Sequence, residues 1–149
     1  MSTALNRTEL RPGGPGDLTE VNRVMQAAFD ARYGEGWTQA QCAGMLALPG
    51  VWLTIASRAG DIVGFALSRA IAGDGELLLL ATHPAVRGLG IGGALLRSVI
   101  ADARDRGVED LHLEVRAGND AVRLYEKEGF AQVNRRRDYY RGNTGKLFD

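Results

Sequence analysis

The chain is short of the residues that build the commonest chemical centres. Its 149 residues include one cysteine, Cys42, which leaves no intramolecular disulfide, no CxxC pair and no thiolate metal cluster. The two histidines, His83 and His112, stand too far apart for a local metal motif, and no metal is expected. The longest apolar run, 77–81, falls far short of the ~20 residues of a membrane span. The first ten residues carry no apolar stretch or cleavage pattern of a secretory signal. Net charge is missing too: 18 basic side chains balance 18 acidic ones, so nothing pulls the chain toward nucleic acid or a membrane. These absences point to a reduced, cytoplasmic domain. Length and an apolar content of 45% fit a single domain over 1–149.

Glycine, by contrast, is abundant: 20 residues, a fraction about twice the usual ~7%. Residues 8–11 suit a short strand, stopped by the turn-forming run at 12–16. Asp17 with Glu20 reads as an N-cap and capping box. Leu18, Val21, Val24, Met25, Ala28 and Phe29 then follow helical spacing to about residue 30. Thr38 with Gln41 opens a second helix, ended by Pro49-Gly50, after a loop at 32–37 with two large aromatics. Strands are expected at 51–58 and 62–70, joined by a hairpin signal at 59–61. A turn at 73–75 precedes a strand at 76–82, whose four leucines suggest burial on both faces and a central position. A helix over 90–106 closed by Gly107, a strand at 108–117, a short helix from Asn119 to Gly129 and a last strand at 130–140 complete the chain. The order β-α-α-β-β-β-α-β-α-β is a mixed α/β (α+β) sheet with antiparallel strands first and one βαβ crossover.

Four glycines crowd into 88–93, between a strand and a helix. Free N–H groups of a first helical turn, its positive dipole end and missing Cβ atoms make such a junction a pyrophosphate site. Gly88, Gly90 and Gly93 spell GxGxxG with Glu114 further on, which matches the dinucleotide fingerprint as a string. Context rejects that match. Residues 83–87 separate the glycines from their strand, and the 56 residues after Gly93 cannot supply two nucleotide-binding halves. No Gly-Lys-Ser/Thr follows, so a P-loop is weaker still.

Arg87-x-x-Gly90-x-Gly92 at the mouth of a central strand resembles the acyl-coenzyme-A loop, Gln/Arg-x-x-Gly-x-Gly/Ala, of the GNAT superfamily of N-acetyltransferases. Tight strand–helix packing is the alternative account of these glycines. Further on, Leu113-Glu114-Val115-Arg116-x-x-Asn119, Leu124-Tyr125-x-x-x-Gly129-Phe130 and Arg136-x-x-Tyr139-Tyr140 resemble the RimI type of that superfamily, which acetylates the N-terminal alanine of a small-subunit ribosomal protein. The resemblance runs over about 76–140. Ala121 falls one position earlier than the family pattern, and Gly36-Trp37-Thr38 replaces its Pro-Trp-Ser.

The resemblance implies a GNAT-like fold and acetyl-CoA as co-substrate. It implies transfer by direct attack in a ternary complex onto a protein N-terminal α-amine, a ribosomal protein among the possible acceptors. Residues expected along the coenzyme are Leu80, Ala81, Thr82, Arg87, Gly88, Leu89, Gly90, Ile91, Gly92, Gly93, Asn119 and Tyr125. The backbone of 80–82 would pair with the pantetheine amides, and Tyr125 would act as general acid toward the sulfur.

The attack needs a neutral amine. An α-amine of pKa about 7.7–8.0 is on the order of 10% neutral at pH 7, against below about 0.1% for lysine at about 10.4. A modest base therefore suffices, and Glu114 suits it, directly or through water. It alternates with Leu113 and Val115 along its strand and shares a face with His112. A glutamate salt-bridged to Arg116 or Arg123, and a core tyrosine, are the plain alternatives at Glu114 and Tyr125. Lysine or small-amine acetylation, and a non-catalytic acyl-CoA sensor, remain open as functions. The family continues past position 149 with a further strand. Its final strand is therefore expected to be missing here, with an exposed sheet edge near 130–140 and a possible strand-pairing homodimer.

Overall fold

Hairpin chemistry lays out the first half of the sheet. In the computed structural model, residues 7–29, 37–114, 121–134 and 139–143 are described, with backbone alone at 114, 121–122, 131–134 and 139–143. Strands β2 (Val51–Arg58) and β3 (Asp61–Ile71) are joined by Ala59-Gly60, at φ 51° and 85°. Positive φ at both central residues gives the turn whose twist matches a hairpin. β3 meets β4 (Asp74–Thr82) through a second such turn, Ala72-Gly73, at φ 51° and 88°. The reversal thus comes earlier than the expected 73–75. Gly75 lies inside β4 instead, where a Cβ would stand 2.9 Å from Val108 Cγ1 and 3.1 Å from Leu111 Cδ1. Its glycine makes room for a neighbouring segment rather than a turn.

β1 (Thr8–Gly13) pairs along β2, and β5 (Asp110–Glu114) follows a crossover from β4. The segment expected as one last strand is two, β6 (Ala131–Asn134) and β7 (Tyr139–Asn143). Among the described residues seven strands run β1-β2-β3-β4-β5-β7-β6, with β4–β5 the parallel pair. β7 slots between β5 and β6, pairing Leu111 with Gly142 and Leu113 with Tyr140. The expectation of a missing final strand is therefore overturned, and with it the basis for a strand-pairing homodimer. The β5 edge that would have lain bare takes up β7's backbone groups, leaving four-residue β6 outermost. No Gly or Pro marks the break after Asn134, so the sequence reads through it.

Among the described residues the helix end signals hold apart from the start of the first helix; Asn119, expected to cap the last one, lies outside them. Before α1 (Leu18–Ala28), Pro15–Asp17 forms a 3₁₀ turn, so Asp17 is not a side-chain cap for α1. Its carboxylate reaches back instead, accepting from the Gly14 N–H at 2.9 Å and from Arg11 at 2.8 and 3.1 Å. Proline at the first position starts the turn early, and Glu20 pairs with Arg23. α2 (Gln39–Leu46) carries the predicted box: the Gln41 N–H donates to Thr38 Oγ1 at 3.1 Å and the Thr38 N–H to Gln41 Oε1 at 2.8 Å. α3 (Ile91–Asp105) ends with Gly107 at φ 82°, where Val108 N–H donates to Ala103 O and Gly107 N–H to Arg104 O. That is a Schellman closure.

Two apolar layers sandwich the sheet. Ile91, Leu95, Leu96, Val99 and Ala103 of α3 cover Trp52, Ala66, Leu77, Leu111 and Leu113. On the other face Val21, Val24, Met25 and Cys42 of α1 and α2 cover Leu53, Ile55, Phe65, Leu67 and Leu79. The four leucines of β4 do serve both layers, through a bulge rather than by alternation. Leu67 pairs with Leu79 and Ser68 with Leu77, leaving Leu78 as the extra residue. Leu77 and Leu80 pack toward α3, whereas Leu78 and Leu79 pack toward α1 and α2.

Candidate active site

The sheet opens beside the glycine loop. β4 pairs with β5 only through 74–76 and 110–112. From Leu77 to Thr82 its edge toward β5 has no strand partner among the described residues. The His83 N–H donates to Val63 O of β3 at 2.8 Å. Backbone groups alternate along a strand, so the N–H and C=O of Leu80 and Thr82 point the other way, into the gap. Ala81 directs its carbonyl toward β3, where a Cβ on Gly64 would stand 3.1 Å from it. Of the three residues expected along the pantetheine, Leu80 and Thr82 thus present main-chain groups to the opening and Ala81 does not.

The chain leaves β4 through a tight 3₁₀ turn, Pro84–Val86, capped by His83, whose Nδ1 accepts from the Ala85 N–H at 3.1 Å. His83 is thus a turn residue, as its position before proline suggests. The exposed Arg87 side chain follows. Gly88 and Gly90 lie in the left-handed region at φ 85° and 79°, and nothing lies within 4 Å of a Cβ on either. Leu89 between them is 55% exposed. Gly90 is the N-cap of α3 and has no side chain to cap it, so the N–H groups of Ile91, Gly92 and Gly93 head the helix without intrahelical acceptors.

The four glycines do not share one role. A Cβ on Gly92 would meet Leu124 Cδ2 at 3.1 Å, and one on Gly93 would meet Arg97 Nη1 at 3.1 Å. Gly88 and Gly90 leave space open to solvent; Gly92 and Gly93 leave space that other side chains fill.

Leu124 belongs to α4 (Ala121–Lys127), which lays Tyr125 into the core at 5% exposure. The helix closes at Gly129, φ 99°, with Phe130 N–H donating to Tyr125 O and Gly129 N–H to Glu126 O. The Phe130 ring meets Tyr125 edge-on at 6.1 Å, the apolar contact that accompanies a Schellman end. The Tyr125-x-x-x-Gly129-Phe130 spacing is therefore the closure that fixes Tyr125. Glu114 is the last described residue of β5, in register with Tyr139, and its side chain lies outside the described residues. So do Asn119, Arg116, Arg136 and the aromatic loop around Tyr33.

His112 sits toward the paired end of the seam, its Nε2 3.8 Å from Asp74 Oδ1. It lines an open groove of about 390 Å³ with Arg69, Asp74 and Glu76, at the opposite end of β4 from the glycine loop. Burial pushes the Cys42 thiol up, so the thiol in the α1–α2 layer stays protonated. Among the described residues no group of three His, Cys, Asp or Glu side chains could hold a metal, and no helix is long and apolar enough to cross a membrane. Sequence reasoning missed the Leu78 bulge, for which a run of identical leucines carries no signal.

A family profile described as Acetyltransferase (GNAT) family matches residues 18–130. The [ribosomal protein bS18]-alanine N-acetyltransferase of Haemophilus influenzae is 39% identical over 85 residues, covering 57% of this chain and 58% of that protein. The chain thus matches less than two thirds of that relative's length. The N-alpha-acetyltransferase RimI of Mycobacterium tuberculosis is 37% identical over 134 residues, 85% of this chain and 83% of the relative. Among solved structures, the Escherichia coli ribosomal-protein-S18-alanine N-acetyltransferase superposes with a TM-score of 0.81 at 22% identity, covering 95% of this chain and 98% of its own.

Proposed function

Because the chain belongs to the GNAT acetyltransferase family, we propose that it transfers an acetyl group from acetyl-CoA to a protein N-terminal α-amine. The observation that carries this reading is the parting of β4 from β5 after Glu76, beside an uncapped helix entered through two left-handed glycines. The N–H groups heading α3 receive the coenzyme's pyrophosphate over Gly88 and Gly90, with Arg87 alongside. Main-chain groups of Leu80 and Thr82 hold the pantetheine amides, pointing the thioester into the seam.

The amine attacks the thioester carbonyl, the C–S bond breaks, and the thiolate leaves with the electron pair. Glu114 takes the proton that the new amide must shed, directly or through a water. Tyr125 offers its hydroxyl to the departing sulfur as a hydrogen-bond donor; a phenol is in general a weaker acid than a thiol, so stabilising the thiolate does not require completing the transfer. No covalent enzyme intermediate is used, and the buried Cys42 is not one. The names of the bS18-alanine relatives support the N-terminal alanine of a ribosomal protein as acceptor, and an acceptor of that kind implies a cytoplasmic reaction.

Acetyl-CoA should raise the melting temperature where NAD does not, and a panel of peptide N-termini should be acetylated ahead of lysine side chains and polyamines. Glu114→Gln and Tyr125→Phe should each lower turnover at least tenfold, on the order expected for acid–base groups, with coenzyme binding retained. Wild-type turnover in both variants would remove these roles, and coenzyme binding without transfer to any amine would make the domain an acyl-CoA sensor.

A further inference from the structure

We propose that Arg97 is a positioning residue: its ion pair with Glu128 locks α4, and with it Tyr125, against the first turn of α3. This rests on the reading of Tyr125 as the group facing the coenzyme sulfur. α4 spans only seven residues, too few to hold a helix by its own backbone bonds. Contacts around it must therefore fix where Tyr125 sits. Tyr125 itself is held from below by Phe130 and the core.

Two described contacts help to hold the side toward α3. Leu124 packs against the space left by Gly92, and Arg97 Nη1 donates to Glu128 Oε2 at 3.0 Å. Gly93 gives Arg97 room for that bond. A helical side chain runs back toward the N-terminus over the residue four earlier, and at Gly93 no Cβ stands in its way. The guanidinium lies tightly against the position a Cβ would take, its Nη1 3.1 Å and Nη2 3.7 Å away. It lies across the first turn of α3 while gripping the C-terminal end of α4. The partners differ in exposure, 60% for the Arg97 side chain and 13% for Glu128. A covered carboxylate left alone is costlier than an exposed pair broken in water. The glycine loop and the Tyr125 helix are thereby joined by this guanidinium as well as by Leu124.

The test uses the full chain with acetyl-CoA and an acceptor peptide. R97M should lower kcat about three- to tenfold and leave the KM for acetyl-CoA within about twofold. R97K should keep most of the turnover, because one donor suffices for one oxygen, and the reversed pair R97E/E128R should regain most of the loss. Combining R97M with Y125F should cost little beyond Y125F alone, since Arg97 acts through Tyr125. Amide exchange at Glu128 and Phe130, whose N–H groups close α4, should quicken about three- to tenfold in R97M. A raised KM with unchanged kcat would make Arg97 a phosphate ligand and overturn the proposal. So would a reversed pair as impaired as R97M, or unchanged exchange. Wild-type turnover in Y125F alone would instead sink the reading of Tyr125.

Discussion

Replacing Gly90 by asparagine separates the two reasons for a glycine in a binding loop, backbone conformation and empty space. Gly90 sits at φ 79°, ψ 12°, with nothing within 4 Å of a Cβ. Alanine there would cost about 1–2 kcal/mol for the left-handed conformation. In a chain of 149 residues that is a fall of about 2–8 °C in Tm. Asparagine enters this region more readily, so the Tm of Gly90→Asn should fall less than that of Gly90→Ala. Its side chain nevertheless projects into the space proposed for the pyrophosphate. Acetyl-CoA at a hundred times its Kd adds about 2.7 kcal/mol to the wild type. A tenfold weaker complex would lose about 1.4 kcal/mol of this, halving the coenzyme-induced rise in Tm. Gly60 supplies the control, at φ 85° with nothing within 4 Å, in the β2–β3 turn. Gly60→Asn should show a similar intrinsic cost and the full coenzyme-induced rise. Differential scanning fluorimetry with and without acetyl-CoA reads both variants. An undiminished rise in Gly90→Asn would mean that no ligand approaches this loop, and the phosphate argument would be wrong.

Two predictions concern the frame that holds the site. Arg11 first, and then the Gly14 amide, hold the Asp17 carboxyl below its ordinary 3.8. A carboxyl depressed by folding stabilises above its unfolded pKa and loses that contribution as pH falls through the folded value. Asp17→Ala should therefore cost about 1 kcal/mol in urea unfolding at pH 7, and the difference from wild type should close in acid below 3.8. Gly75→Ala should destabilise by about 1–3 kcal/mol through overpacking against Val108 at 2.9 Å. Val108→Ala in the same chain should recover part of that loss; a strictly additive double variant would show that the two positions do not compete for space.

The parts of the fold legible in the sequence are those written in side chains with local jobs. Thr38 and Gln41 announce a helix start because their atoms make its bonds. Gly107 and Gly129 announce helix ends because both take a positive φ that few residues accept. Asp17 misleads because Pro15 opens a turn first, so the carboxylate caps from three positions along. Gly75 misleads because a glycine that admits Val108 looks, in sequence, like one that turns the chain. The break between β6 and β7 and the bulge at Leu78 depend on what β5 and β3 place alongside. Neither is a property of the residues where it occurs.

The same distinction runs through the candidate site and explains its reach in sequence. In the proposed site the coenzyme side consists of main chain: the outward groups of Leu80 and Thr82, the amides that head α3, and open space over Gly88 and Gly90. Any residue but proline at positions 80 and 82 supplies the same N–H and C=O, so only the glycines leave a trace there. Anion binding by such groups needs no basic surface, which reconciles a pyrophosphate site with a chain of zero net charge. It follows that salt should weaken acetyl-CoA binding less than if clustered lysines held the phosphates, since Arg87 is the exposed cation within the loop. A steep loss of coenzyme affinity between low and moderate ionic strength would mean that side-chain charge, rather than the loop's backbone, carries the binding.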